Sequence, residues 1–197
     1  GIISGNKNNN GGIVGVIQNA NIVNCINTGK CRGGILGSVW KGEKNKIINC
    51  YNLGDCINGI ANVSAGGDWD TVINLDIKNC YNLGICENSG IIGTQGTPCK
   101  NNFLTIENCY NAGKSLVSII GKIDNVSIST ITTNISNTYY DSSKSKSSGA
   151  KDDGVTALNE SDIKNNKDFI ATLNKNIEED SECRKWKIGD DGYPAFE

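Results

Sequence analysis

Ile77-Lys78-Asn79-Cys80-Tyr81-Asn82-Leu83-Gly84-Ile85-Cys86 is the stretch that decides the fold, because the chain repeats it. Earlier copies read Ile22-Val23-Asn24-Cys25-Ile26-Asn27-Thr28-Gly29-Lys30-Cys31 and Ile47-Ile48-Asn49-Cys50-Tyr51-Asn52-Leu53-Gly54-Asp55-Cys56. A fourth is Ile106-Glu107-Asn108-Cys109-Tyr110-Asn111-Ala112-Gly113, and Ile135-Ser136-Asn137-Thr138-Tyr139-Tyr140 is a degenerate fifth with Thr138 in the cysteine's place. The shared position falls at 25, 50, 80, 109 and 138, giving spacings of 25, 30, 29 and 29 residues. Such a period marks a stacked-repeat architecture, in which one unit is too short to bury its own apolar side and neighbours must cover it.

Between the copies runs a second recurring piece: Gly33-Gly34-Ile35-Leu36-Gly37, Gly59-Ile60-Ala61, Ser89-Gly90-Ile91-Ile92-Gly93 and Ser118-Ile119-Ile120-Gly121. Each unit is thus a set of apolar runs too short for helices and without a 3.6 period. They are rich in Ile and Val, which suit strands. Short strands returning once per 25–30 residues predict the coils of a parallel β-solenoid, each strand bonded to its equivalent one coil away. Alternation turns Lys78 out and Ile77 in. Asn79 and Cys80 break the alternation and predict a corner. The following Asn-x-Gly is expected to supply a positive-φ glycine for the bend. Equivalent asparagines are expected to form ladders along the axis.

The Ile-x-Asn-Cys-Tyr-Asn-x-Gly pattern followed by Gly-Gly-Ile-x-Gly resembles the GLUG-type repeats of large bacterial cell-surface proteins. These include adhesins and the non-catalytic regions of some immunoglobulin A proteases. The resemblance covers residues 1–141. The tail, with Val155-Thr156-Ala157-Leu158, Leu173-Asn174, Trp186 and Gly192-Tyr193-Pro194, is similar to the closing module of such arrays in gut Firmicutes. The resemblance implies a right-handed parallel β-helix displayed outside the cell. The fold expected is therefore all-β: a right-handed parallel β-helix of about five coils over 1–141, a linker loop over 142–153, and a small α/β C-terminal cap over 154–197. Ser161-Asp162 is the expected N-cap of the tail helix, with Ile163, Phe169, Ile170 and Leu173 on one apolar face. Trp186 and Tyr193 are expected in the cap core. Because Gly1-Ile2-Ile3-Ser4-Gly5 reads like the middle of a repeat, the chain is expected to be part of a longer one.

Composition narrows the chemistry. The chain of 197 residues has no histidine, a formal net charge of −2 and no clustered basic field. Without His there is no Ser-His-Asp or Cys-His nucleophile system. Nothing favours nucleic acid, and no apolar run approaches the roughly 18 residues of a membrane span. Neither a cofactor nor a metal is expected. Nine cysteines include three C-x5-C pairs, Cys25/Cys31, Cys50/Cys56 and Cys80/Cys86. They read as stacked core residues or as cross-turn disulfides within each coil; the spacing is wrong for ordinary zinc pairs.

Residues that break the repeat are the candidates for function. The insertion 62–74 carries Asp68-Trp69-Asp70, and Ser38-Val39-Trp40-Lys41-Gly42-Glu43 carries a second exposed-type tryptophan. A Trp flanked by glycine and charge is a good anchor for a protein or sugar partner; the competing reading folds the ring back over the solenoid flank. Asp55 and Asp76 are possible neighbours of the acidic pair, which reads as a solvated loop before it reads as catalytic. The expectation is a monomeric, extracellular, non-enzymatic binding or display module with Trp69, Asp68, Asp70 and Trp40 at its site. A host protein or glycan, with immunoglobulin as the named candidate, is the expected partner. A structural spacer and a polysaccharide hydrolase or lyase are the alternatives.

Overall fold

The computed structural model describes residues 10–64, 70–96, 99–124, 130–177, 179 and 182–197. It is a β-solenoid of about four turns of parallel strands. Equivalent residues stack in register. On the longest face Ile22, Ile47, Ile77, Ile106 and Ile135 pair in order. On a second face Leu36, Ala61, Ile92 and Ile120 do so. The strand Val72–Lys78 alternates as the sequence predicts, with Ile73, Leu75 and Ile77 fully buried and Lys78 outside. These columns form one continuous core with Ile35, Ile60, Ile91 and Ile119. Burying each such side chain is worth about 1.5–3 kcal/mol, so the interior stack is the main source of stability.

The corner sits where alternation fails, but its positive φ lies on a different residue from the one expected. Asn24, Asn49, Asn79, Asn108 and Asn137 take φ values of 57°, 52°, 53°, 51° and 47°, a region asparagine tolerates better than most residues. Gly29, Gly54, Gly84 and Gly113 are not in that region. At Gly54, Gly84 and Gly113 the coils approach too closely for a side chain: a Cβ on Gly54 would lie 2.2 Å from the Gly29 carbonyl, and one on Gly84 would lie 2.1 Å from that of Gly54.

Both asparagines of the repeat form ladders, as expected. At the corner Asn49 Nδ2 donates to Asn24 Oδ1 at 3.1 Å, Asn79 to Asn49 at 2.8 Å and Asn108 to Asn79 at 2.8 Å. Inside, the direction reverses: Asn27, Asn52 and Asn82 each donate 2.7 Å to the next copy up. A buried amide is costly without a partner, and the ladder supplies one on every coil.

The 142–153 stretch, expected as a loop, is a run of turns and bends with one isolated parallel bridge from Gly149 to Ile120, and it bonds to the coil beneath it. Ser118 and Ile119 donate to the carbonyls of Ser147 and Ser148, and Ala150 donates to Ile120. Ser145 Oγ meets Ser115 Oγ at 2.7 Å in the column that Cys31, Cys56 and Cys86 begin. Val155–Leu158 then pairs in parallel with Thr138–Asp141. This Ser/Lys-rich loop packs on the neighbouring coil through buried hydroxyl residues, Ser145 and Ser148.

The described residues between 160 and 197 lie along the solenoid flank. Tyr51, Tyr81 and Tyr110 stack face to face, with centroids 4.5 and 5.1 Å apart, a spacing close to the ~4.8 Å strand separation. Helices α1 (Glu160–Ile163) and α2 (Lys167–Lys175) and the antiparallel pair Trp186–Ile188 with Pro194–Phe196 cover that stack. Ile163, Phe169, Leu173, Trp186 and Phe196 are buried against it. The N-caps are Asn159 and Asn166 rather than Ser161; Asn166 Oδ1 accepts from Asp168 N and Phe169 N.

Candidate functional site

The strand Leu36–Ile48 runs 13 residues and passes from one face to the next. Its pairing shifts midway: Ile17 lies opposite Val39 but Gln18 lies opposite Lys41, so Trp40 is the extra residue of a bulge. A bulge re-aims a side chain. Val39 remains fully buried whereas Trp40 is 46% exposed. Two residues on, Gly42 has φ 110°, and a Cβ there would meet Asn19 Oδ1 at 2.3 Å, so only glycine fits this crossing. A second irregularity follows, with Gly42 opposite Ile73 but Asn45 opposite Leu75. Asn45 is buried and secures the bend: its Nδ2 donates to Gly42 O at 2.8 Å and to Asn74 O at 3.1 Å.

The two irregularities open a corner groove of about 670 Å³ lined by Gln18, Asn19, Lys41, Glu43, Lys44, Asp70 and Thr71 among others. Two ammonium groups, two carboxylates and neutral amides therefore face one concave surface. That mixture suits hydroxyl-rich or mixed-charge ligands. Of the residues expected at the site, Asp70 lines the groove and Trp40 adjoins it through Lys41. Asp68 and Trp69 lie outside the described residues. Asp76 points from the long face, level with Lys46 and Thr105, and neither it nor Asp55 lines the groove.

The cysteines occupy two separate columns. In the corner column, Cys25 N, Cys50 N and Cys80 N each donate 3.4 Å to the sulfur of the next copy. Burial pushes the Cys80 thiol far above its ordinary value. The second column holds Cys31, Cys56 and Cys86 in register. The two members of a C-x5-C pair thus sit on either side of the Tyr-Asn strand, and sulfur meets sulfur between coils: Cys31 Sγ and Cys56 Sγ are 2.9 Å apart. The Cys56 hydrogen bond lowers the Cys31 thiol, while the same bond and burial raise Cys56. Cys25, Cys31, Cys50, Cys56, Cys80, Cys86 and Cys109 are free thiols. Among the described residues no three His, Cys, Asp or Glu side chains gather as a metal site, and no helix is long and apolar enough to cross a membrane.

Sequence reasoning missed one ionic cluster and one cleft. Lys144 Nζ donates to Tyr193 OH at 2.5 Å and meets Glu160 Oε1 at 3.1 Å, and Tyr193 OH donates to the same carboxylate. Burial lowers the Lys144 ammonium but the Tyr193 and Glu160 hydrogen bonds outweigh it, leaving the pKa raised. Beside it, Ile85 and Leu116 are exposed in a cleft of about 420 Å³ with Lys114 and Lys146. The available signal was two apolar residues at outward positions of the repeat.

No family model matches the chain, and no curated protein matches it. Among solved structures it is similar to a "putative immunoglobulin A1 protease" from Bacteroides ovatus, with 23% identity and a TM-score of 0.49. The match covers 90% of this chain and 57% of that one, so the chain spans little more than half that neighbour's length.

Proposed function

We propose that this chain is a non-catalytic binding and display module from a bacterial surface protein of the GLUG-repeat type. In this reading it is a right-handed helix of about five coils, closed by its C-terminal segment, held outside the cell and monomeric. Its partner is a host glycoprotein, with immunoglobulin the leading candidate. The observation that supports it is Trp40, pushed out of the repeat by a bulge beside the corner groove. Core positions repeat and serve stacking; the residues that interrupt the repeat are free to meet a ligand. An exposed indole can bury a large area at low rotamer cost, and Lys41, Glu43, Lys44 and Asp70 supply a polar rim.

Glu43 and Asp70 sharing one groove is the observation that favours a glycan-active enzyme instead. One experiment separates the readings. The purified chain is passed over immobilised immunoglobulin A and mucin, and incubated with a polysaccharide panel assayed for new reducing ends or unsaturated products. Retention without product supports the binding module. Product formation that Glu43→Gln or Asp70→Asn abolishes establishes an enzyme, and neither result leaves the spacer.

A further inference from the structure

We infer that Cys31 and Cys56 form an oxidisable pair whose disulfide staples two successive coils of the solenoid. The two residues are in-register neighbours on adjacent parallel strands. Such neighbours lie about 4.8 Å apart, within the usual Cα separation of bridged cysteines. Their sulfurs face one another at 2.9 Å. The corner column has the same strand spacing, but its sulfurs also hold backbone donors. There the sulfurs of Cys50, Cys80 and Cys109 each accept a backbone N–H from the neighbouring coil at 3.4 Å.

The surroundings support thiolate chemistry at the pair. Asn27 Nδ2 lies 3.5 Å from both sulfurs, while its two hydrogens also serve Gly29 O at 2.8 Å and Asn52 Oδ1 at 2.7 Å. A thiolate is the form that reacts, and an amide N–H beside it stabilises that charge. Both residues are buried, Cys31 slightly less so than Cys56, so a small oxidant is required. Hydrogen peroxide fits. The Cys31 thiolate attacks one peroxide oxygen, the O–O bond breaks, and Cys31 becomes a sulfenic acid while hydroxide leaves and takes a proton to become water. The Cys56 sulfur then attacks the Cys31 sulfur, expelling the sulfenic oxygen as a second water with the Cys56 proton. Two thiols are oxidised, one peroxide is reduced, and the staple closes a loop of 25 residues along the chain.

The test uses the full chain and the reagent itself. Peroxide-treated protein is unfolded in denaturant, its thiols are counted, and its non-reduced peptides are mapped by mass. The inference expects a loss of two thiols, a single Cys31–Cys56 linkage, and a melting temperature higher by several degrees that dithiothreitol reverses. Cys31→Ser and Cys56→Ser should each prevent the two-thiol loss, whereas Cys50→Ser should leave it intact. A linkage between any other cysteines, oxidation to sulfinic or sulfonic acid without a linkage, or no thiol lost would each overturn it. The map of the unsubstituted protein decides the matter even if a variant fails to fold.

Discussion

Trp186 Nε1 donates to Asn79 Oδ1 across 2.7 Å, joining residues 107 positions apart in the chain. Asn79 is already a rung of the corner ladder, and its Nδ2 also donates to Arg184 O at 3.0 Å. Asn49 and Asn108 do the same for Glu182 O and Leu173 O. The corner asparagines therefore turn the coil, link it to its neighbour, and carry the C-terminal segment along the flank.

If that rail holds the segment, Trp186→Phe should cost about 1–2 kcal/mol through the lost N–H, and Trp186→Ala about 3–5 kcal/mol through the emptied core. Hydrogen exchange should show protection lost across Lys167–Lys175 and Pro194–Phe196 while Val72–Lys78 keeps its own. Equal loss over both regions would mean that the segment is integral to the solenoid core.

Gly84→Ala is expected to destabilise by about 1–3 kcal/mol or more, although its φ is not in the positive region. The added methyl would sit 2.1 Å from the Gly54 carbonyl, and backbone cannot yield as a flexible side chain can. Chemical denaturation measures this. A neutral result would show that the coils can separate at this corner.

The corner column also predicts what Cys80 tolerates. Thr138 stands at the equivalent place, fully buried, with its hydroxyl donating to Ser136 O at 2.9 Å, as Cys80 Sγ donates to Lys78 O at 3.1 Å. Cys80→Thr should therefore change stability by only about 1 kcal/mol, whereas Cys80→Arg should abolish cooperative melting, since its charge would have no water and no partner. Normal melting of the arginine variant would refute the inward assignment.

Alkali should unfold the protein more readily than mild acid. Burial raises the thiols of Cys80 and Cys86, the latter to about 12 from 9.0, and the phenols of Tyr81 and Tyr110 above 10.0. These groups ionise at their ordinary values when unfolded but stay protonated when folded. The unfolded state then binds fewer protons, and stability falls as pH rises. The contribution is complete below pH about 9 and is lost progressively above it. Cys31 and Cys50 shift the opposite way, each lowered by a neighbouring thiol's hydrogen bond, which offsets part of the effect. Melting temperature across pH 7 to about 11 reads this out; a flat profile would contradict the burial of these groups.

The stack itself was legible because Ile77, Asn79, Cys80 and Asn82 recur with one period, and period survives any uncertainty over turns. What sequence could not supply was which of two candidate residues turns the corner. Asn-Cys and Asn-x-Gly both carry turn chemistry, and only the distance between coils shows that Gly84 is there for space and Asn79 for φ. Residues 142–153 read as a loop, and nothing in their Ser/Lys-rich composition marked Ser145 and Ser148 as the members that are buried. At the candidate site, Trp40 could be singled out from sequence but not aimed. Its exposure follows from a one-residue register shift against Gln18, which composition does not encode.

The central claim is that residues breaking the repeat bind while those keeping it stack. Binding of the chain and of Trp40→Ala to surface-immobilised immunoglobulin A and mucin, measured beside their melting temperatures, tests it most directly. The expected result is a weakening of roughly 30-fold, about 2 kcal/mol, with an unchanged melting temperature. Undiminished binding by Trp40→Ala, or no binding of the unsubstituted chain to either surface, would contradict it.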